Sequence, residues 1–102
     1  MKQLTVTLGM VTRDHKDISP KEVREYLAQR FAGLSIVWGE GLWKGEWEPC
    51  YTLTIGYDSP EDRGVVMGKI LSLARATNQE VVYLQGQGIL PVPYNERNGA
   101  PC

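Results

Sequence analysis

Ser-Pro occurs twice in this chain, at Ser19-Pro20 and Ser59-Pro60, and each time it separates a strand-like stretch from a helix-like one. Serine can cap a helix, and proline at the first helical position gives up an N–H that would have no partner there. Ahead of the first pair, Leu4, Val6, Leu8 and Met10 alternate with Thr5 and Thr7, the period of a strand over 2–11. Residues 11–17 are polar and read as a loop. Behind Ser19, Glu22 completes a capping box, and Val23, Tyr26, Leu27 and Phe31 recur at helical spacing. Gly33 is the expected helix stop, in a left-handed conformation. Leu34 to Trp38 reads as the next strand. The second half repeats the order. Tyr51, Leu53, Ile55 and Tyr57 alternate with Thr52 and Thr54; Val66, Ile70, Leu73 and Ala74 form a helical stripe; Asn78 suits the helix end; and 80–85 is rich in Val and Tyr.

Strand, helix, strand, strand, helix, strand is the expected order. Right-handed crossovers place both helices on one face of a four-stranded antiparallel sheet, the α+β, ferredoxin-like βαββαβ arrangement. The predicted core joins Leu4, Val6, Leu8, Ile36, Leu53 and Ile55 to Val23, Leu27, Phe31, Val66, Ile70 and Leu73. The other face then carries Thr5, Thr7, Ser35, Val37, Thr52 and Thr54, with Val81 and Tyr83. Such a face suits a partner, including a second copy in a homodimer, or plain solvent. The domain is expected over 1–85. The Pro- and Gly-rich tail, 86–102, reads as no regular element, with the apolar run 89–94 lying extended along the body or a second subunit.

Residues 38–51 hold all three tryptophans, three glycines and three glutamates. A long β-hairpin accounts for this, with a tight turn at Lys44-Gly45 and Gly39 and Gly41 as a bulge. A turn at Gly39-Glu40-Gly41 is the alternative. The same stretch also reads as a binding surface, in which Trp43 and Trp47 supply contact area and Lys44, Glu46 and Glu48 supply specificity.

With 102 residues and a net charge of −1, the chain makes one domain and carries no global basic field to hold a nucleic-acid backbone. No apolar run approaches a membrane span, and the N-terminus enters strand pattern at once, which points to the cytoplasm. Cys50, Cys102 and a lone histidine have no metal-ligand spacing, so no metal or cofactor is expected. Single-strand RNA binding through this topology stacks bases on aromatic residues of the central strands, where this chain has threonines. His15 lies between Asp14 and Lys16 in the polar loop and is an acid–base candidate without an evident nucleophile. Glu40, Glu46 and Glu48 lack the Asp-rich pattern of a hard-cation site. Gly86-Gln87-Gly88 is followed by no helix to hold a phosphate.

The run Phe31-Ala32-Gly33-Leu34-Ser35-Ile36-Val37, then Gly41-Leu42-Trp43-Lys44-Gly45, then Glu48 before an alternating strand, resembles small uncharacterised ferredoxin-like proteins of bacteria and their phages. The resemblance covers about half the chain and implies binding of a host protein or a signalling nucleotide. The expected function is therefore a small non-catalytic binding protein, a phage or mobile-element accessory that inhibits a host defence protein and is found in the host cytoplasm. The enzyme or small-molecule alternative places a site between hairpin and tail, using Glu40, Glu46, Glu48, His15 or Tyr51.

Overall fold

Alternation along the first strand sets the architecture. In the computed structural model, which describes residues 2–92, β1 (Lys2–Gly9) buries Leu4, Val6 and Leu8 and leaves Thr5 and Thr7 on the other face. It is followed by α1 (Pro20–Arg30), β2 (Ser35–Trp43), β3 (Glu46–Tyr57), α2 (Pro60–Ala76), β4 (Val81–Leu84) and β5 (Gly88–Pro91). All strand pairs are antiparallel, in the order β2-β3-β1-β4-β5. The first four strands in that order match the expected arrangement. The sheet has five strands rather than four because Gly88–Pro91 pairs with β4, Val82 facing Leu90 and Tyr83 facing Ile89.

Val23 and Leu27 of α1 and Val66, Ile70, Leu73 and Ala74 of α2 join Leu4, Val6, Leu8, Tyr51, Leu53, Ile55, Val82 and Leu84 in one buried cluster. Both helices therefore cover the same side of the sheet. Burying apolar surface at roughly 25 cal/mol per Å² is the main force holding them there. Ile36 and Phe31 border this cluster and are only partly buried. The open side carries Thr5, Thr7, Ser35, Val37, Thr52 and Thr54, and Thr7 and Thr52 share a hydroxyl hydrogen bond of 2.8 Å. No described helix is long and apolar enough to cross a membrane.

Several local expectations are corrected. The segment 86–92 is not irregular: Gly86, with φ 83°, and a bond from Gln87 N–H to the Leu84 carbonyl turn the chain into β5. The expected extended run beyond Val92, together with Cys102, lies outside the described residues. Gly39 and Gly41 make no bulge, since β2 and β3 pair residue for residue from Ser35–Thr54 to Trp43–Glu46. The turn is Lys44-Gly45, with φ of 50° and 81°, the left-handed pair that suits the twist of a tight hairpin. The alternative turn at Gly39-Glu40-Gly41 is thereby excluded. Helix α1 stops at Arg30 with Phe31 extended, three residues before Gly33, whose φ is not positive. Ser19 stands at the cap position but its side chain makes no cap bond, whereas the Ser59 hydroxyl accepts one from Asp62 N–H at 3.1 Å. At the other end of α2, Asn78 takes the left-handed position, and Gln79 N–H reaches the Ala74 carbonyl, a Schellman closure.

Candidate functional site

Strands β2 and β3 outrun β1. The β1–β3 ladder ends at Gly9–Cys50, Met10 N–H still bonds the Pro49 carbonyl, and residues 46–48 pair with β2 alone. The hairpin thus projects as an arm. Its tip returns to the body at the start of β4, where Lys44 Nζ lies 3.3 Å from Glu80 Oε1. Beneath the arm, on the open side of the sheet, is a groove of about 720 Å³. That volume falls within the range typical of small-ligand pockets.

Strand alternation decides which hairpin residues face it. Trp43, Glu46, Glu48 and Cys50 share the side of Thr52 and Thr54 and line the groove. Thr7, Tyr83 and Ile89 line it from β1, β4 and β5. Arg13 and His15 line it from the β1–α1 loop. Trp38, Glu40, Leu42 and Trp47 alternate to the helix side. Trp38 packs there against Tyr51, ring centroids 5.5 Å apart, with the Arg24 guanidinium 5.4 Å from the indole. Trp47 is 69% exposed and Leu42 59% exposed.

The loop bearing His15 is built rather than loose. Val11 and Asp17 form a bridge, and Thr12 and Lys16 close the turn with a 2.8 Å backbone bond. The Thr12 hydroxyl accepts from the N–H groups of Asp14 and Lys16 at 3.2 and 3.1 Å. His15 sits at its apex with φ 62°, a left-handed backbone that histidine enters more readily than most residues. Segment 77–79 pins the loop. Arg13 donates to the Gln79 and Val92 carbonyls, and Asn78 Nδ2 donates to Asp14 Oδ2 at 3.0 Å. Gln79, only 4% exposed, accepts from Gly9 N–H and donates to the Val11 and Thr77 carbonyls.

The sequence candidates therefore divide. Trp43, Lys44, Glu46, Glu48 and His15 meet around one groove. Trp47 and Glu40 stand on the opposite side of the hairpin. Tyr51 is fully buried in the core, its hydroxyl without a hydrogen-bond partner among the described residues, and burial pushes its pKa well up. Burial, and secondarily Glu40, also raises the Cys50 thiol above its ordinary value. Sequence reasoning placed Thr7 and Tyr83 on the open face but did not assign Arg13, Cys50 or Ile89 to a site. Their signal is the register of β1, β4 and β5 together, which no local pattern carries. Among the described residues no group of three or more His, Cys, Asp or Glu side chains is arranged to hold a metal ion.

No protein-family model matches this chain, and no curated protein matches it. Among solved structures, one described as a phage SAM lyase in the apo state is similar. It has a TM-score of 0.66 and 18% identity, over 92% of this chain and 91% of that one. At that identity the likeness shows a shared fold.

Proposed function

We propose that the groove binds S-adenosylmethionine or a close sulfonium nucleoside and that this chain is a lyase acting on it. The observation that carries the reading is the hairpin wall, where an indole and two carboxylates, Trp43, Glu46 and Glu48, line one side of the groove. A sulfonium cation is attracted to an aromatic face and to carboxylates, and an adenine ring stacks on Trp or Tyr. Tyr83 offers a second aromatic surface in the same groove. The similar phage SAM lyase supports the substrate class and the phage setting. It moves the reading from non-catalytic binding toward the enzyme alternative.

A lyase breaks the carbon–sulfur bond without water or redox change. The bonding pair leaves on sulfur as a neutral thioether. The carbon is satisfied from within the substrate, by a group of its own or by loss of a neighbouring proton to a base. Glu46 and Glu48 hold the cation in either case and accept the proton in the second. The test is incubation of the purified protein with S-adenosylmethionine, with chromatography of the thioether nucleoside released. Release that falls at least tenfold in Glu48→Gln or Trp43→Ala supports the reading. A wild-type chain that neither binds nor cleaves S-adenosylmethionine would overturn it.

A second reading is favoured by one observation, the exposure of Trp47 on the side of the arm away from the groove. There the chain docks a host protein, as an accessory that inhibits it. Capture of a specific partner lost in Trp47→Ala and kept in Trp43→Ala supports this role; equal loss in both variants counts against it.

A further inference from the structure

The groove is segregated by charge. Glu46 and Glu48 stand on the hairpin wall, and Arg13 and His15 stand on the opposing loop wall. Lys44 and Glu80 line the groove as well, and they pair with each other at 3.3 Å, so their charges offset. The loop wall is held by side-chain bonds to segment 77–79, so its backbone is fixed before any ligand arrives. A loop held in this way leaves less ordering to be done when a ligand binds to it. Arg13 already donates to two backbone carbonyls, and its charge persists at that wall. His15, exposed at the loop apex, lines the same space.

From this polarity we infer that the groove takes a dipolar ligand in one orientation, with its carboxylate against His15 and the Arg13 charge and its cationic centre against Glu46, Glu48 and Trp43. The inference rests on the proposed function and adds to it a selection for the amino-acid carboxylate. His15 is a binding residue here, contacting the carboxylate directly. Arg13 acts through its field and through the loop it anchors. A hydrogen bond to a charged group corresponds to about tenfold to a hundredfold in affinity.

The experiment compares S-adenosylmethionine with its decarboxylated form, which keeps the sulfonium and the nucleoside. Dissociation constants are read by rapid mixing, ahead of turnover, for the wild-type chain, His15→Asn, His15→Lys and Glu48→Gln. Asparagine tolerates the left-handed backbone at position 15, so the loop keeps its shape. The wild-type chain is expected to prefer the carboxylated ligand by about tenfold or more. His15→Asn should reduce that preference toward unity, and His15→Lys should restore it. Glu48→Gln should weaken both ligands together and keep their ratio. If the wild-type chain binds both ligands equally, or if His15→Asn leaves the ratio intact, the inference is wrong and the lyase reading stands. If neither ligand binds, both fall.

Discussion

Lys44 Nζ and Glu80 Oε1 stand 3.3 Å apart across the mouth of the groove, joining the tip of the β2–β3 hairpin to the start of β4. Both side chains are substantially exposed, so the pair is worth less than about 1 kcal/mol and is weakened by salt. The turn itself matters more. Gly45 has φ 81° and open space around its Cβ position. Gly45→Ala should cost about 1–2 kcal/mol through backbone strain alone. Lys44→Asn, which suits the left-handed turn, should change stability by less than about 1 kcal/mol. Urea denaturation of both variants checks the order; equal losses would contradict it.

The two faces of the hairpin should separate in function. Trp43→Ala is expected to weaken binding of S-adenosylmethionine at least tenfold, because its indole lines the groove. Trp47→Ala should leave binding within about twofold and stability within about 0.5 kcal/mol, as for other exposed surface sites. Calorimetric titration with circular dichroism on each variant decides this. Matching losses from Trp43 and Trp47 would mean the arm does not present the faces described.

Tyr51 gives a pH-dependent expectation. Its phenol is buried and raised well above its ordinary pKa by loss of solvation. Above about pH 10 the unfolded chain releases the phenolic proton while the folded chain keeps it. The folded state then binds more protons, so stability falls as pH rises through that range. Tyr51→Phe should remove this part of the slope. At neutral pH it should be neutral or slightly stabilising, because the hydroxyl has no hydrogen-bond partner among the described residues. Tyr51→Ala should cost about 3–5 kcal/mol, as for other buried aromatic residues. Denaturation midpoints at pH 7 and pH 11 test the sign.

Gln79 ties the end of β1 to the segment after α2 through its bonds to Gly9, Val11 and Thr77. Gln79→Ala leaves those backbone groups short of partners in a buried place and should cost about 1–3 kcal/mol. It should also speed hydrogen exchange at Gly9. Because the His15 loop is fastened to the same segment, ligand affinity should fall in parallel. Unchanged exchange at Gly9 would show that the amide is held by other means.

The twin helix starts should respond differently. Ser59→Ala removes a bond to Asp62 N–H and should cost about 1 kcal/mol, the usual value of an N-cap. Ser19→Ala removes no such bond and should be close to neutral. Thermal unfolding of the two variants measures the difference.

Much of this molecule is local chemistry and could be read along the chain. Alternation in Leu4–Leu8 and Tyr51–Tyr57 placed the core on one side and threonines on the other, because successive strand side chains point to opposite faces. Ser-Pro marked both helix starts, and Lys44-Gly45 marked the hairpin turn, because those positions ask for particular backbone angles. The short fifth strand was hidden. Gly88 and Pro91 argue against a strand locally, and only the free edge of β4 gives Ile89 and Leu90 somewhere to pair. The candidate site was legible as residue types and not as a place. Glu46, Glu48 and Trp43 face His15 across a groove because β2 and β3 extend beyond β1 and because Gln79, distant in sequence, holds the β1–α1 loop upright. Contacts of that range depend on how whole elements stack: alternation about the Lys44-Gly45 turn puts Trp43 and Trp47 on opposite sides of the hairpin, but only the stacking shows on which side the groove lies.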